Sequence, residues 1–366
     1  MNKKGTSKKK FWLWGSLLLL FIVLGIGVYL FNQITAYQHI SFGHITDEEL
    51  GISEPIIESP QVEKNRTEQE VAEGEPSKWN NKIFNVALFG LDRRSAIQVG
   101  RSDSIMILTV DFKHNKIKLT SLMRDLEVPI DGHGSSKLNH AYAFGGPQLA
   151  IKTINQNFGT DIRDYVAVDF FTLEAIIDAM GGVPVDVKKN EVDMVNKYMD
   201  ETARIQKKEP RYLKESGMQN LNGMQAVAYS RIRSVGNGDF ERTERQRRVL
   251  AALIERVREQ GVSSIPSLLM KVMPHVETTL SRSDILSLAF KYFSEGTMPL
   301  EQERFPIDGL WKAGRGAGGL WIIEVNINDL KKQIEKYIFE DIPPDISKET
   351  VEEGEGNRYS CYDSKV

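Results

Sequence analysis

Six arginines fall within the segment 230–248, SRIRSVGNGDFERTERQRR, on the two sides of a glycine-rich turn. Arg231 and Arg233 are two residues apart, so in an extended chain their guanidinium groups leave the same face. Arg242, Arg245 and Gln246 are three and four residues apart, so on a helix they share one stripe. Guanidinium groups that converge at a helix N-terminus favour anions. The segment therefore predicts an anion site, above all for phosphate.

Two polar clusters are predicted at the ends of neighbouring strands. GLDRR (90–94) follows an apolar run and GRSDS (100–104) precedes one, so Asp92 and Asp103 lie at adjoining strand ends. Such aspartates often serve only as turn or capping residues. Two carboxylates without histidine or cysteine suit Mg²⁺, or Mn²⁺, as a bound cation. Arg93 and Arg101 beside them favour a pyrophosphate ligand, which needs both metal and guanidinium groups.

A third cluster adds positive charge to the same edge of the sheet. LMRDLEV supplies Arg124, and KLNHAYAFGG supplies Lys137 and His140. His140 lies in an apolar segment and is predicted to be a packed, hydrogen-bonded histidine rather than a general base. The sequence contains no Gly-x-Ser-x-Gly elbow, no HExxH and no Walker phosphate loop. Hydrolysis through a serine nucleophile is therefore unsupported.

The composition limits the class of protein. The chain has 366 residues, a net charge of -3 and 41% hydrophobic residues, as globular proteins do. With no overall basic excess, a nucleic-acid partner is not expected. Cys361 is the only cysteine, which excludes an internal disulfide and a cysteine metal cluster.

The first residues predict a membrane anchor. Five lysines in residues 1–10 precede an uncharged run at 11–31, long enough to span about 30 Å of hydrocarbon as a helix. A cleaved signal peptide is the alternative, but no small-residue cleavage site follows the run. The lysines place a cytoplasmic tail at 1–10. Residues 32–80, rich in Glu and Pro, are predicted to be a flexible extracellular linker.

Strands and helices alternate over residues 81–341, which predicts one layered α/β domain. Strands are predicted at 84–91, 104–110, 116–122, 165–170, 183–187, 303–307 and 320–325, and helices at 147–158, 171–180, 242–260, 283–294 and 328–338. Residues 188–216 are predicted to be a mobile excursion and 342–366 a disordered tail. If the helices at 147–158 and 171–180 splay, the space between them would accept a lipid chain.

In this order, the motifs GLDRR, GRSDS, MRD, KLNHAYAFGG, IIDAMGGVPVDV, AYSRIR and GDFERTERQR resemble those of the LytR-CpsA-Psr proteins of Gram-positive cell envelopes. The resemblance implies an α/β/α domain with a mainly antiparallel or mixed central sheet behind one transmembrane helix. It implies transfer of an anionic glycopolymer, such as wall teichoic acid, from undecaprenyl pyrophosphate to the C6 hydroxyl of N-acetylmuramic acid in peptidoglycan. The implied partners are this donor, peptidoglycan and the cell membrane.

The resemblance also implies roles for the candidate residues. Asp92 and Asp103 would bind Mg²⁺, and the pyrophosphate would contact Arg93, Arg101, Arg124, Arg231, Arg233, Arg242 and Gln246. We add Lys137 and Arg245 to the substrate-binding set, and we predict a catalytic role for Arg124, Arg231, Arg233 and Asp103. Met123 replaces a common proline of the family and Glu244 a common aspartate, which puts local geometry in question.

Other functions remain open at this point. The same site with water as acceptor would make a polyprenyl-pyrophosphate hydrolase. Members of the family have also been described as transcriptional attenuators, so a non-enzymatic envelope regulator is a further alternative. A wall-binding module is the last, and it would not need the paired aspartates.

Overall fold

The computed structural model describes residues 38–39, 45–52, 82–93 and 100–345. The transmembrane helix predicted at 11–31, most of the predicted linker and the tail beyond residue 345 lie outside these residues. Within the described part, no helix is both long and apolar enough to cross a membrane.

The strands of the described residues are β1 (Gln38–His39), β2 (Ile83–Leu91), β3 (Ser102–Asp111), β4 (Lys116–Leu122), β5 (Glu127–Ile130), β6 (Gly134–Lys137), β7 (Asp164–Asp169), β8 (Val183–Val187), β9 (Gly217–Leu221), β10 (Glu277–Thr278), β11 (Leu300–Phe305), β12 (Lys312–Arg315) and β13 (Trp321–Glu324). The helices are α1 (Leu138–Phe158), α2 (Phe170–Ala179), α3 (Val192–Gln206), α4 (Gly223–Ser230), α5 (Asp239–Gln260), α6 (Ile265–Val272), α7 (Arg282–Ser294) and α8 (Ile327–Phe339).

A seven-stranded sheet in the order β1-β10-β7-β2-β3-β4-β11 forms the centre of the fold. The β2, β3 and β4 strands pair antiparallel, whereas β7 runs parallel to β2 and β11 parallel to β4. The predicted mixed central sheet is therefore confirmed. The β3–β4 hairpin turns at Asn115, whose φ of 57° is a left-handed conformation that asparagine tolerates better than most residues.

Helices cover both faces of the sheet, because the apolar side chains of its strands point both ways. On one face α1 and α8 pack on alternate residues of β2 and β3, such as Phe89 and Ile107, in the largest core cluster. On the other face α7 packs near Val110, and α2, α5 and α6 pack near Val166. A second core, built by α3, α4, α5, β8 and β9, lies beyond this layer.

The predicted elements with strong apolar patterns are present with small shifts at their ends. The helix predicted at 147–158 is the second part of α1, which begins at Leu138 and is interrupted at Gly146, where φ is 65°. Pro147 follows this break, and a helix tolerates proline well at such a start.

Two predictions about the chain path are wrong, and one condition is not met. The excursion predicted as mobile at 188–216 contains α3, whose buried residues Val195, Met199 and Ala203 recur every four positions. Arg231, which would have to lie in an extended chain to share a face with Arg233, is the C-cap of α4. Part of the predicted linker is folded against the domain, since Leu50 is buried in the main core and its carbonyl accepts from Nδ2 of Asn155 at 2.8 Å.

The predicted lipid space between the helices 147–158 and 171–180 is not formed. The α1 helix packs into the main core with α8, whereas α2 packs against α4 and α6. The two helices therefore belong to different layers of the fold.

Candidate functional site

The predicted polar clusters meet at one edge of the central sheet. Because β3 is antiparallel to β2 and β4, its first residues lie beside the last residues of both neighbours. The backbone N–H of Asp92 donates to the carbonyl of Arg101 at 3.2 Å, and a register shift interrupts the β2–β3 ladder at Gly90 and Leu91. A bulge of this kind redirects side chains at a strand end.

Asp103 lies at the centre of the site, and three guanidinium groups surround its carboxylate. Nη1 of Arg124 donates to Oδ1 at 2.6 Å, and Nη2 of Arg233 donates to Oδ2 at 3.3 Å. Nη1 of Arg242 lies 3.5 Å from Oδ2, and its Nη2 donates to the Asp103 carbonyl at 3.2 Å. The structure thus brings together four residues that the sequence predicts for the site.

Asp239 is a second carboxylate within the same cluster. It lies in the first turn of α5, where its oxygens are 2.9 Å from Nη2 of Arg242 and 3.3 Å from Nε of Arg124. The N-cap position of α5 belongs to Gly238, and Asp239 is the residue after it. Asp239 holds two arginines beside the helix N-terminus.

Burial and charge together set the ionisation of this cluster. Burial alone would raise the pKa of Asp103, but attraction to Arg124, Arg242 and Arg233 holds that pKa below its usual range. Burial lowers the pKa of Arg242, since its side chain is only 4% exposed. An arginine remains charged despite such a shift. The site therefore presents fixed guanidinium groups in a partly dehydrated setting, where they attract anions strongly.

Lys137 is paired within the protein. Its Nζ donates to Oδ1 of Asp125 at 2.7 Å, and Asp125 also lies 3.4 Å from Nε of Arg124. Lys137 thus positions the carboxylate beside Arg124, and direct contact with a pyrophosphate stays a prediction.

Arg245 lies on the same helix as Arg242 and Gln246, but it does not join the cluster around Asp103. It is 1% exposed, and its Nε donates to Oε1 of the fully buried Glu191 at 2.8 Å. Its other donors reach Oε2 of Glu241 at 2.7 Å and the carbonyls of Ile232 and Val235 at 3.1 Å each. Since those carbonyls flank Arg233, Arg245 fixes the loop that carries a site residue.

Arg231 and Arg233 do not leave one face, because the chain between them is not extended. Nη2 of Arg231 donates to Oε2 of Glu201 at 3.0 Å, and its guanidinium lies 5.1 Å from the Phe170 ring centroid and 5.4 Å from that of Tyr198. Arg231 thus contacts α3, and its predicted catalytic role remains a prediction.

Arg93 is anchored by an acidic residue that the sequence did not single out. Its Nη1 donates to Oε2 of Glu277 at 3.3 Å. Oε1 of Glu277 accepts from Tyr165 at 3.0 Å and from Tyr142 at 3.4 Å. Burial, reinforced by Glu277, raises the pKa of both phenols well above the usual range. Both tyrosines therefore stay protonated, as donors to Glu277.

The remaining predicted residues line the periphery. Asp92 and Arg101 are exposed, and Oε1 of Gln246 is buried without a hydrogen-bond partner among the described residues. Nδ1 of His140 lies 2.9 Å from Oγ of Ser136, so His140 is hydrogen-bonded as predicted. Burial lowers its pKa, with Arg101 and Lys137 adding to the shift.

Asp92 and Asp103 are the candidate metal ligands. In the described residues, no group of three or more histidine, cysteine or carboxylate side chains is placed to hold a metal. A cation here would take its further ligands from phosphate oxygens and water, which is the usual habit of Mg²⁺. The two carboxylates fit that donor chemistry.

Sequence reasoning missed Glu191, Glu201 and Glu277, the carboxylates that hold arginines of this region. Each lies at least thirty residues from its arginine in the chain, so spacing carries no signal for the pairing. Only the absence of an acidic residue near Arg231 in the chain pointed to a distant partner.

Comparison with known proteins shows which sequences and structures this chain is similar to. The LytR_cpsA_psr family model matches residues 56–337. A regulatory protein, MsrR of Staphylococcus aureus (strain COL), is 30% identical over 269 residues, which cover 73% of this chain and 77% of MsrR.

Two further relatives have names that describe chemistry. The Enterococcus faecalis polyisoprenyl-teichoic acid–peptidoglycan teichoic acid transferase TagU is 34% identical over 220 residues, 59% of this chain and 67% of TagU. A structure of TagT with bound octaprenyl pyrophosphate superposes with a TM-score of 0.54 at 25% identity, covering 73% of this chain and 94% of that one.

Proposed function

This chain belongs to the LytR-CpsA-Psr family, and we propose that it transfers an anionic glycopolymer from a polyprenyl-pyrophosphate carrier to peptidoglycan. The observation that carries the proposal is the group of guanidiniums of Arg124, Arg233 and Arg242 at the N-terminus of α5. A pyrophosphate has the charge and oxygen geometry that such groups bind. The relatives named as teichoic acid transferases support the choice of this glycopolymer class.

The reaction is a phosphoryl transfer. An oxygen of an acceptor hydroxyl attacks the phosphorus that carries the glycopolymer, and the bond from that phosphorus to the bridging oxygen breaks. The products are a glycopolymer phosphodiester on the acceptor and a polyprenyl monophosphate, which leaves with the bridging oxygen. The proton of the acceptor hydroxyl passes to this leaving phosphate or to water. We propose the C6 hydroxyl of N-acetylmuramic acid as acceptor and undecaprenyl as carrier.

The arginines of the cluster act on charge rather than as nucleophiles. In phosphoryl transfer, catalysis rests mainly on positioning and on stabilising charge that develops on the phosphate oxygens. Arg124 and Arg242 are held by carboxylates, so little reorganisation is needed when the donor arrives. Asp103 is a poor base, because its oxygens already face three guanidinium groups.

Mg²⁺, or Mn²⁺, is the proposed cofactor, held by Asp92 and Asp103. The guanidiniums of Arg124, Arg233 and Arg242 face the carboxylates of Asp103 and Asp239, which leaves the cluster a net charge of about one. One positive charge does not neutralise a pyrophosphate, which carries two or more negative charges. A divalent cation would supply the missing positive charge and neutralise phosphate oxygens.

The carrier lipid needs an apolar surface next to the cluster. Val166 and Val168 of β7, with Leu253 and Val257 of α5, are partly buried around a small apolar cluster on the α5 face of the sheet. We propose this face for the polyprenyl chain. The apolar run at 11–31 would keep the site at the extracellular surface of the membrane, where such a carrier lies.

The test uses the full-length chain in detergent with a polyprenyl-pyrophosphate-linked glycan and peptidoglycan oligomers, with and without Mg²⁺. The expected product by mass spectrometry is a glycan phosphate on peptidoglycan, formed only with the metal. Acceptors whose muramic acid carries a hydrogen atom in place of the C6 hydroxyl should give no adduct. Polyprenyl phosphate without any adduct would show a hydrolase instead, and no reaction with any donor would favour a regulatory protein.

A further inference from the structure

Arg247 and Arg304 form a second arginine pair, outside the cluster around Asp103. Arg247 lies on α5 and Arg304 on β11, and the Arg304 guanidinium reaches α5, where it lies over the ring of Phe240. Burial and then the charge of Arg304 lower the pKa of Arg247. Arg247 lies seven residues beyond Phe240, so the two share a stripe of α5. Arg242 and Gln246 occupy a neighbouring stripe. The pair is therefore a separate place in the fold, about 8 Å along the helix from Arg242.

Several buried donors of this pair have no partner among the residues that the structure describes. Nε and Nη1 of Arg247 and Nη1 of Arg304 are buried and make no hydrogen bond to the described residues. The same holds for Oγ of Ser121, a fully buried residue directly opposite Arg304 in the β4–β11 ladder. Buried polar groups are normally paired, and an unpaired donor costs about 1–3 kcal/mol. Three such groups around one place call for a common partner.

The nearby carboxylates are already engaged. Glu244 pairs with Arg248, and Glu303 accepts from the backbone N–H of Arg304 at 2.8 Å. Asp308, which is 73% exposed, accepts from Nη2 of Arg304 at 2.6 Å and leaves Nη1 unpartnered.

Aromatic rings fix the orientation of Arg304. Its guanidinium carbon lies 4.7 Å from the ring centroid of Phe240, which stacks on Trp311 at 4.6 Å. A guanidinium stacked on a ring keeps its donors pointing to the side. Arg304 is therefore preorganised for an acceptor in the plane of its donors.

The surroundings of the pair carry further positive charge. Gln302 precedes Arg304 by two residues, so both side chains leave the same face of β11. Gln302 lines an open pocket with Lys188, Arg248 and Asp186. An anion that reaches the pair through this pocket therefore meets two cations and one carboxylate, which leaves an excess of one positive charge.

We propose that Arg247, Arg304 and Ser121 form a second phosphate-binding subsite. A tetrahedral phosphate presents three or more oxygens in different directions, which can accept from two guanidinium groups and a hydroxyl at once. Two sources share this chemistry, a phosphodiester of the glycopolymer and free phosphate. Assignment to the polymer rests on the proposed function, whereas phosphate binding itself does not.

The test counts phosphate sites on the full-length chain in detergent by calorimetry and ³¹P line broadening. The probes are inorganic phosphate, a glycerol-phosphate trimer joined by phosphodiesters, and acetate as a carboxylate control. Wild-type protein should bind phosphate at two places. Arg304→Gln and Arg247→Gln should each weaken one of them by at least about tenfold, and Arg233→Gln should weaken only the other.

Arg304→Lys should keep part of the binding, because it keeps the charge. Arg315→Gln is the matched control, since Arg315 is exposed and its Nη1 donates to a backbone carbonyl; it should bind as wild type does. Tighter binding of the trimer would assign the subsite to the polymer, and tighter binding of phosphate to the free anion. Unchanged phosphate binding in both Arg247→Gln and Arg304→Gln, or equal binding of acetate, would overturn the proposal.

A second measurement guards against misfolded variants. Removal of an unpaired buried charge relieves its desolvation cost, so Arg247→Met should melt at a higher temperature than wild type without phosphate. Added phosphate should then raise the melting temperature of wild type more than that of the variant. An equal phosphate-induced shift in both proteins would contradict the subsite. Neither measurement uses the transfer reaction. If the chain proves not to be a transferase, these measurements still decide whether the subsite binds phosphate.

Discussion

Replacing Arg245 by methionine tests whether this arginine stabilises the fold or binds the substrate. The change would leave Glu191, which is fully buried, with the backbone N–H of Lys188 at 2.8 Å as its remaining donor. Breaking a buried ion pair by removing one partner costs about 3–5 kcal/mol. The described residues would unfold with an entropy of about 0.6 kcal/mol/K, so the melting temperature should fall by about 5–9 °C.

Calorimetry or urea unfolding of the full-length chain measures this loss. Glu191→Met combined with Arg245→Met should regain at least about 2 kcal/mol over the sum of the single changes, because no buried charge is left unpaired. Arg258→Met is the control on the same helix, since Arg258 pairs with the partly exposed Glu255, and it should shift stability by less than about 1 kcal/mol.

The same variant reports on the substrate. If Arg245 acts through the 232–235 loop, Arg245→Met assayed well below its melting temperature should raise KM and lower kcat together, and Arg233 should lose its fixed position. A variant that keeps its melting temperature within about 1 °C yet loses transfer a hundredfold would refute this reasoning and make Arg245 a substrate ligand.

Three further changes test the site and its support. Asp103→Ala should lower transfer by about a hundredfold or more, because the guanidinium groups lose their common anchor and the metal a ligand; near-normal turnover would remove the residue from the mechanism. Glu277→Ala should lower transfer about tenfold through a misplaced Arg93, with Glu277→Gln intermediate, and equal activity of both with wild type would leave Glu277 without a role. Asp341→Asn should lower the melting temperature at pH 7, because Lys116 and Lys118 hold the pKa of Asp341 below its ordinary value of 3.8 despite the opposing effect of burial. That stabilisation is present above the ordinary value and lost as the pH falls through the folded pKa, so melting curves at pH 3 should differ less than at pH 7.

Much of the sheet follows from the sequence, because its strands are short apolar runs between turn residues. β2, β3 and β4 each show this pattern, and the order of the motifs at their ends predicts one shared edge. The α3 helix was missed although its apolar residues recur every four positions. Five charged residues are interspersed among the apolar ones, and tertiary packing against α4 decides the structure there.

The sequence predicted most of the residues of the site, but it did not predict which arginine pairs with which carboxylate. Spacing on a helix predicts which arginines share a stripe. It does not predict which carboxylate of another helix or strand will pair with each of them. Arg242 and Arg245 illustrate the limit: three residues apart, the first meets Asp103 and the second is buried against Glu191. Arg231 likewise turns to Glu201, because the preceding residues form a helix and not a strand.

The carboxylates within the site have a consequence for how an anion binds. Asp103 and Asp239 hold three guanidinium groups in place, so these groups are neither free to swing nor fully available. A pyrophosphate must therefore share each guanidinium with a carboxylate, and like charges would then oppose one another across the site. A divalent cation on Asp103 resolves this conflict, since it turns a competing anion into a bridge between protein and phosphate. Binding of the donor should accordingly depend on metal and on salt together, and loss of Asp239 alone should weaken the need for metal more than it weakens binding.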